Sequence, residues 1–197
     1  MATTAANIVV GEAVVKVGAS NTTMTGVDFD ALTDVGYTQG GVEISWQPDM
    51  VDIEVDQFGD AAKVIQSKVK VMVKTTMAEG TLRNLAIAWS YNTEIANSDS
   101  AGADIVNGID GVSTTTFKFG GQGVYPFEKA VQIEGNAPGS TAAVTKSRKF
   151  RTKRAISMES STISMKRAEA SVFAVSFRIL PVSTDTNYEY GKIIDEQ

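Results

Sequence analysis

Two missing residue types bound the chemistry open to this chain. Its 197 residues include no His and no Cys. Without His there is no usual general base, no Ser-His-Asp triad and no imidazole metal ligand. Without Cys there is no thiolate zinc site, no disulfide framework and no Cys nucleophile. The chemistry that remains sits in two charged clusters. Asp52, Glu54 and Asp56 alternate along one segment, with Asp49 and Asp60 nearby. Lys146, Arg148, Lys149, Arg151, Lys153 and Arg154 place six cations in nine residues.

Alternate carboxylates on a strand lie about 7 Å apart, a separation compatible with an inverting glycosidase pair. Nothing nearby is aromatic enough to hold a sugar, and neither 49–60 nor 28–34 has the spacing of a calcium loop. Gly191-Lys192 lacks the Gly and the Ser/Thr of a phosphate-binding loop. Gly120-Gly121-Gln122-Gly123 lacks the third glycine of a dinucleotide fingerprint, and no Gly-x-Ser-x-Gly elbow exists. These residues point away from an enzyme and require no cofactor or metal.

The basic run has three readings. It is a nucleic-acid or acidic-partner patch, a solvated strand face, or one half of a contact with another copy of the chain. Phe150 is the only aromatic inside it, which leaves little for base stacking. The net charge of −5 (18 basic, 23 acidic residues) opposes a general grip on phosphate backbones. An acid-rich 28–60 and a base-rich 146–154 supply the two halves of a head-to-tail contact.

The elements that must position these residues are mostly strands. Val42, Ile44 and Trp46 alternate with polar residues, as do Val51, Ile53 and Val55, then Val69, Val71 and Val73. Val131 and Ile133 repeat the pattern, as do Phe173, Val175, Phe177 and Ile179, with weaker candidates at 114–119 and 156–165. Period 2 with one wet face marks half-buried antiparallel strands. Residues 50–74 are expected to form a hairpin turning near Asp60–Ala62. Val51 would then face Val73, Ile53 Val71 and Val55 Val69. That register sets Glu54 against Lys70 and Asp56 against Lys68, so the acidic stripe is either a functional surface or a neutralised wet face.

Thr76-Met77-Ala78-Glu79 has the form of a capping box, and Leu82, Leu85, Ala86 and Trp89 make one apolar stripe. This predicts one amphipathic helix over about 77–91. Irregular loops are expected over about 92–111 and 135–147. The start of the chain lacks a basic n-region, and no apolar run is long enough to span a bilayer. The expectation is one domain over 1–197, soluble and made in a cytoplasm, with an N-terminal arm and a 186–197 tail.

Asp34-Val35-Gly36-Tyr37-Thr38-Gln39-Gly40-Gly41-Val42-Glu43-Ile44 resembles the early segment of tail tube (major tail) proteins of long-tailed double-stranded-DNA bacteriophages. A strand ending Val55-Asp56-Gln57-Phe58-Gly59, the pattern Glu79-x-x-Leu82-x-x-Leu85, Phe177-Arg178-Ile179-Leu180-Pro181 and Gly191-Lys192-Ile193-Ile194 follow in the family's order. The resemblance implies a mainly β fold, an antiparallel sandwich or barrel with one flanking helix. It implies a structural virion protein whose hexameric rings stack into a hollow tube, assembled in the host bacterial cytoplasm. Genomic DNA would transit the lumen without specific binding. The implied partners are other copies, with tape-measure, tail terminator, baseplate or tail-tip proteins and a sheath in contractile tails; no membrane is involved. Asp52, Glu54 and Asp56 would line the lumen. Gln57, Phe58, Gly59, Asp60 and Lys63 would lie in the ring-stacking loop. Other readings are the tube of a contractile injection or secretion machine and a monomeric β-sandwich binding module.

Overall fold

Strands form where Val, Ile and Phe alternate with polar residues, because one pleated face can then be buried while the other stays wet. The computed structural model describes residues 11–19, 28–54, 56, 60–93, 95–96, 105–107, 115–120, 126–141, 144–158, 171–182 and 190–196. Seven strands run across the main sheet in the order β2 (Thr33–Asp34), β1 (Val14–Ala19), β8 (Lys129–Asn136), β9 (Ser147–Ser157), β10 (Phe173–Ile179), β4 (Ala61–Met77) and β3 (Thr38–Glu54). An eighth, β11 (Lys192–Asp195), pairs with Arg148–Arg151 of β9, while β10 takes Ala155–Ser157. All these pairings are antiparallel. With α1 (Leu82–Ala88), the one α-helix among the described residues, this is the mainly β, antiparallel class with one flanking helix that the alternation and the apolar stripe predict.

Cross-strand partners assign the two faces. Val15, Val17, Val131, Ile133, Phe150, Ala155, Val175, Phe177, Val71 and Val73 join one core cluster with Leu85, Ile87 and Ala88 of α1. The opposite face carries charge across β1, β8 and β9. Lys16 and Lys149 both reach Glu134, at 3.6 and 3.2 Å.

The helix is shorter than the apolar stripe predicts. Thr76 and Met77 remain in β4, opposite Ala174 and Phe173, so the expected capping box does not form. Thr81 is the cap instead: its Oγ1 accepts from the Asn84 amide at 3.1 Å. Glu79 accepts from the Tyr37 amide at 3.1 Å and so serves the turn before β3. Ser90 closes the helix at φ 57°, with Tyr91 N donating to Ala86 O and Ser90 N to Ile87 O, a Schellman arrangement with serine where glycine is usual. Ser157 compensates: the Ser90 hydroxyl donates to its carbonyl at 3.0 Å and accepts from its amide at 2.9 Å.

The expected irregular segment 92–111 contains two short strands, β5 (Ile95–Ala96) and β6 (Ile105–Asn107). They pair in parallel, and β6 pairs antiparallel with β7 (Thr115–Phe117), a small sheet whose Phe117 packs against the core. The 135–147 loop is narrower than expected, since β8 runs to Asn136 and β9 begins at Ser147, closed by Ala137 N to Lys146 O at 2.9 Å. The expected N-terminal arm over residues 1–10 lies outside the described residues. Of the expected tail, residues 190–196 are described, and they are docked on the sheet.

The expected hairpin register is overturned. Val73, Val71 and Val69 face Ile44, Trp46 and Pro48, and Val51 faces Ile65. The strands end at Glu54 and resume at Ala61, so Ala62 lies inside β4 and not in the turn. Val71 and Val73 are also claimed by Ile179 and Phe177 of β10, which places them in the core. The segment of β3 opposite them is the earlier of its two apolar runs. Three irregularities interrupt this ladder, the last leaving Ala62 extra between Lys63 and Ala61 near the tip. Gly40 and Gly41, both near φ +80°, form a bulge between Gln39 and Val42. Ser67 is the extra residue between Lys68 and Gln66.

Candidate assembly surface

β3 and β4 are each 17 residues long, roughly 56 Å when extended. β10 covers β4 only over Val71–Met77. Residues 47–54 and 61–70 therefore form a two-stranded ribbon beyond the sheet, with no third strand on either side among the described residues. Two strands alone are marginal in water.

The ribbon exchanges its faces at the Ser67 bulge. Before it, Ile44, Trp46 and Pro48 share the core-directed face with Val73, Val71 and Val69. The other face is mostly polar there, with Glu43 opposite Lys74, Gln47 opposite Lys70 and Asp49 opposite Lys68, and with the buried Met72 opposite Ser45. β3 alternates without interruption through this region, so Val51 and Ile53 fall on the face that was polar, together with Ile65 opposite Val51. The core-directed face now bears Asp52 and Glu54, with Val64 and Ala61 opposite them. The exposed apolar residues are large: Trp46 is 60% exposed, Val64 57% and Met50 50%. Lone exposed hydrophobes are ordinary, but five on one projecting ribbon (Met50, Val51, Ile53, Val64, Ile65), with Ile44 and Trp46 exposed on β3 just before it, mark an interaction surface.

This register also revises the acidic stripe. Neither Lys68 nor Lys70 stands opposite Asp56 or Glu54; the lysines face Asp49 and Gln47. Asp52, Glu54 and Asp56 are exposed near the ribbon tip, and no lysine faces Asp52 or Glu54. Of the expected stacking loop, Asp60 and Lys63 are exposed at the start of β4. Gln57, Phe58 and Gly59 lie outside the described residues.

The basic run is largely engaged within the protomer. Arg148 grips Asp195 with two bonds of 2.6 Å. Lys149 reaches Glu134 at 3.2 Å and Glu196 at 3.7 Å. Arg151 donates to Gln132 at 2.7 Å, approaches Asp30 at 3.6 Å and lies 5.0 Å from the Phe29 ring centre. Arg154 forks onto Glu128 at 2.6 and 2.7 Å and also donates to the Pro181 carbonyl. Lys153 is buried. These partners lie 15 to 122 positions away along the chain, and spacing along the sequence carries no trace of them. The hydrogen bonds to Glu128 raise the Arg154 pKa, and those from Arg148 hold the Asp195 carboxyl below its usual range.

A cleft of about 720 Å³ lies between β1, β3 and the 34–37 turn, and Glu12, Asp34 and Glu79 reach its wall. Two of these carboxylates serve the backbone: Asp34 accepts from Gly36 N and Glu79 from Tyr37 N. Among the described residues, no group of three or more acidic side chains is placed to hold a metal ion. No protein-family model and no curated protein matches this chain.

Proposed function

We propose that the chain is a structural subunit of a hollow tube, the tail tube of a long-tailed double-stranded-DNA bacteriophage, in which hexameric rings stack and genomic DNA passes through the lumen. The carrying observation is the β3–β4 ribbon. Residues 47–54 of β3 and 61–70 of β4 extend past the sheet with no third strand among the described residues, and Met50, Val51, Ile53, Val64 and Ile65 on them are exposed. Edges of this kind are completed by other chains. Identical copies are the simplest source of matching edges, and heterologous contacts that close give rings.

The acidic tip supports the conducting role. Freed from the lysine ladder, Asp52, Glu54 and Asp56 can give an inner wall a repeated negative charge, which repels phosphates and lets DNA slide. Sister copies complete the surface; the tape-measure, terminator and tail-tip or baseplate proteins are the further partners of such a tube.

Negative-stain microscopy of purified protein tests the reading. Rings or tubes of constant diameter are expected. A mass that stays at one protomer over a wide concentration range, by light scattering, overturns it and favours a solitary binding module.

A further inference from the structure

β9 offers one long edge to two strands. β10 takes Ala155–Ser157, which leaves the backbone of Arg148–Arg151 open, and β11 fills that gap. The gap is shaped for this particular strand. A side chain at Gly191 would meet the Arg151 carbonyl oxygen at 2.7 Å, so only glycine fits there. Thr152 donates to the Tyr190 carbonyl at 2.9 Å. At the other end Ser147 and Glu196 exchange two bonds: Ser147 N to the Glu196 carboxylate and Glu196 N to the Ser147 carbonyl, both 2.9 Å. Arg148 holds Asp195, and Lys149 reaches Glu196.

Recognition is specific, yet the hold is shallow. Ile193 is 64% exposed, and the ion pairs at the far end are exposed as well. Exposed pairs contribute little, and four ladder positions make a short strand. Such an element belongs to the part of a structure that opens locally.

We infer that β11 is an exchangeable strap, and that the β9 edge it seals also accepts the same strand from a second copy of this chain. Groove and strand are encoded in one polypeptide, so each copy carries both. Local concentration then decides whether the groove is filled from within or by a neighbour. This is independent of tube formation, because a chain whose straps never exchange could still assemble through its ribbons.

The chain has no Cys, which makes cysteine pairing a clean test. Lys149 and Ile194 are cross-strand partners. The double variant Lys149→Cys/Ile194→Cys should close an intrachain disulfide on oxidation. Mixed single variants, Lys149→Cys with Ile194→Cys, should give a covalent heterodimer whose yield rises with protein concentration, and several-fold in high salt, where exposed ion pairs are screened. The inference is overturned if the double variant closes while the mixture yields no more heterodimer than Lys149→Cys mixed with Lys63→Cys on the ribbon. Failure of the double variant to close removes the strap itself.

Discussion

The Ser67 hydroxyl donates to the Asp49 carbonyl over 3.1 Å, and this bond pins the bulge at which the ribbon's apolar and polar faces trade places. Deleting Ser67 closes the bulge and removes its local bend, while Gln66 can still pair with Met50 and Ile65 with Val51. The sheet is built from other residues, so circular dichroism should show retained strand content and a melting midpoint within a few degrees of the parent. Particles should vanish from micrographs. Normal tubes from the deletion would show that the bulge has no part in assembly.

Charges placed on the tip separate assembly from stability. Val51→Lys with Ile65→Lys alters exposed positions and should change folding stability by only about 0.5 kcal/mol. Sedimentation should nevertheless show protomers alone. By contrast, Phe177→Ala empties a site that is 1% exposed and should cost about 3–5 kcal/mol in a denaturant titration.

The acidic tip can be reversed without touching the core. Asp52→Lys/Glu54→Lys/Asp56→Lys tubes should retain a fluorescent double-stranded oligonucleotide on pelleting in low salt, and release it as salt rises. Parent tubes should leave it in the supernatant. Equal retention by both would remove these three residues from the conducting wall.

Acid should loosen the strap. Hydrogen bonds from Arg148 lower the Asp195 pKa, and the Ser147 amide, with lesser help from Lys149, lowers that of Glu196. A lowered carboxylate pKa stabilises the docked form above the ordinary carboxylate range, and that contribution is lost as pH falls through the lowered values. The other charges facing this end are Glu134 and Lys16 across β8 and β1, and Lys192 and Arg151 along the strands. Amide exchange at residues 192–196 should accelerate, relative to its intrinsic pH trend, below the ordinary carboxylate range. Arg148→Gln should flatten the part due to Asp195. Unchanged protection across that window in the parent protein would contradict the clasp.

Ser90 offers a local check on the helix end. Ser90→Ala removes both bonds to Ser157 while keeping the unfavourable φ, and should cost about 1–3 kcal/mol. Ser90→Gly relieves the backbone and should cost less. The order of the two melting midpoints decides it.

The class of fold was legible because alternation is a local signal. Val71, Val73, Phe177 and Ile179 lie on the inward face that period 2 assigns them. Register was not legible. β3 carries two apolar runs, 42–46 and 51–55, and either can face 69–73 with every side chain properly sided. β10 settles the choice by drawing Val71 and Val73 into the core, a contact about a hundred residues distant. The doublet Gly40-Gly41 and the phase change between Met50 and Val51 were the available clues to irregular pairing. The helix began late because Thr76 and Met77 gained more from strand partners in β10 than from a cap. The carboxylate partners of the basic run lie on other strands and turns, so charge counting saw only one side of each pair.

Pro48 and the lysines 63, 68 and 70 all fall within the bare stretch of the ribbon. Proline cannot donate to a ladder, and lysine discourages casual pairing. The rim is thus selective: an arriving strand must leave Pro48 without a donor's duty and find room for three ammonium groups. In the proposed tube, a protomer made in excess, before any growing end exists, would thereby be protected from sticking to whatever unfolded chain is at hand.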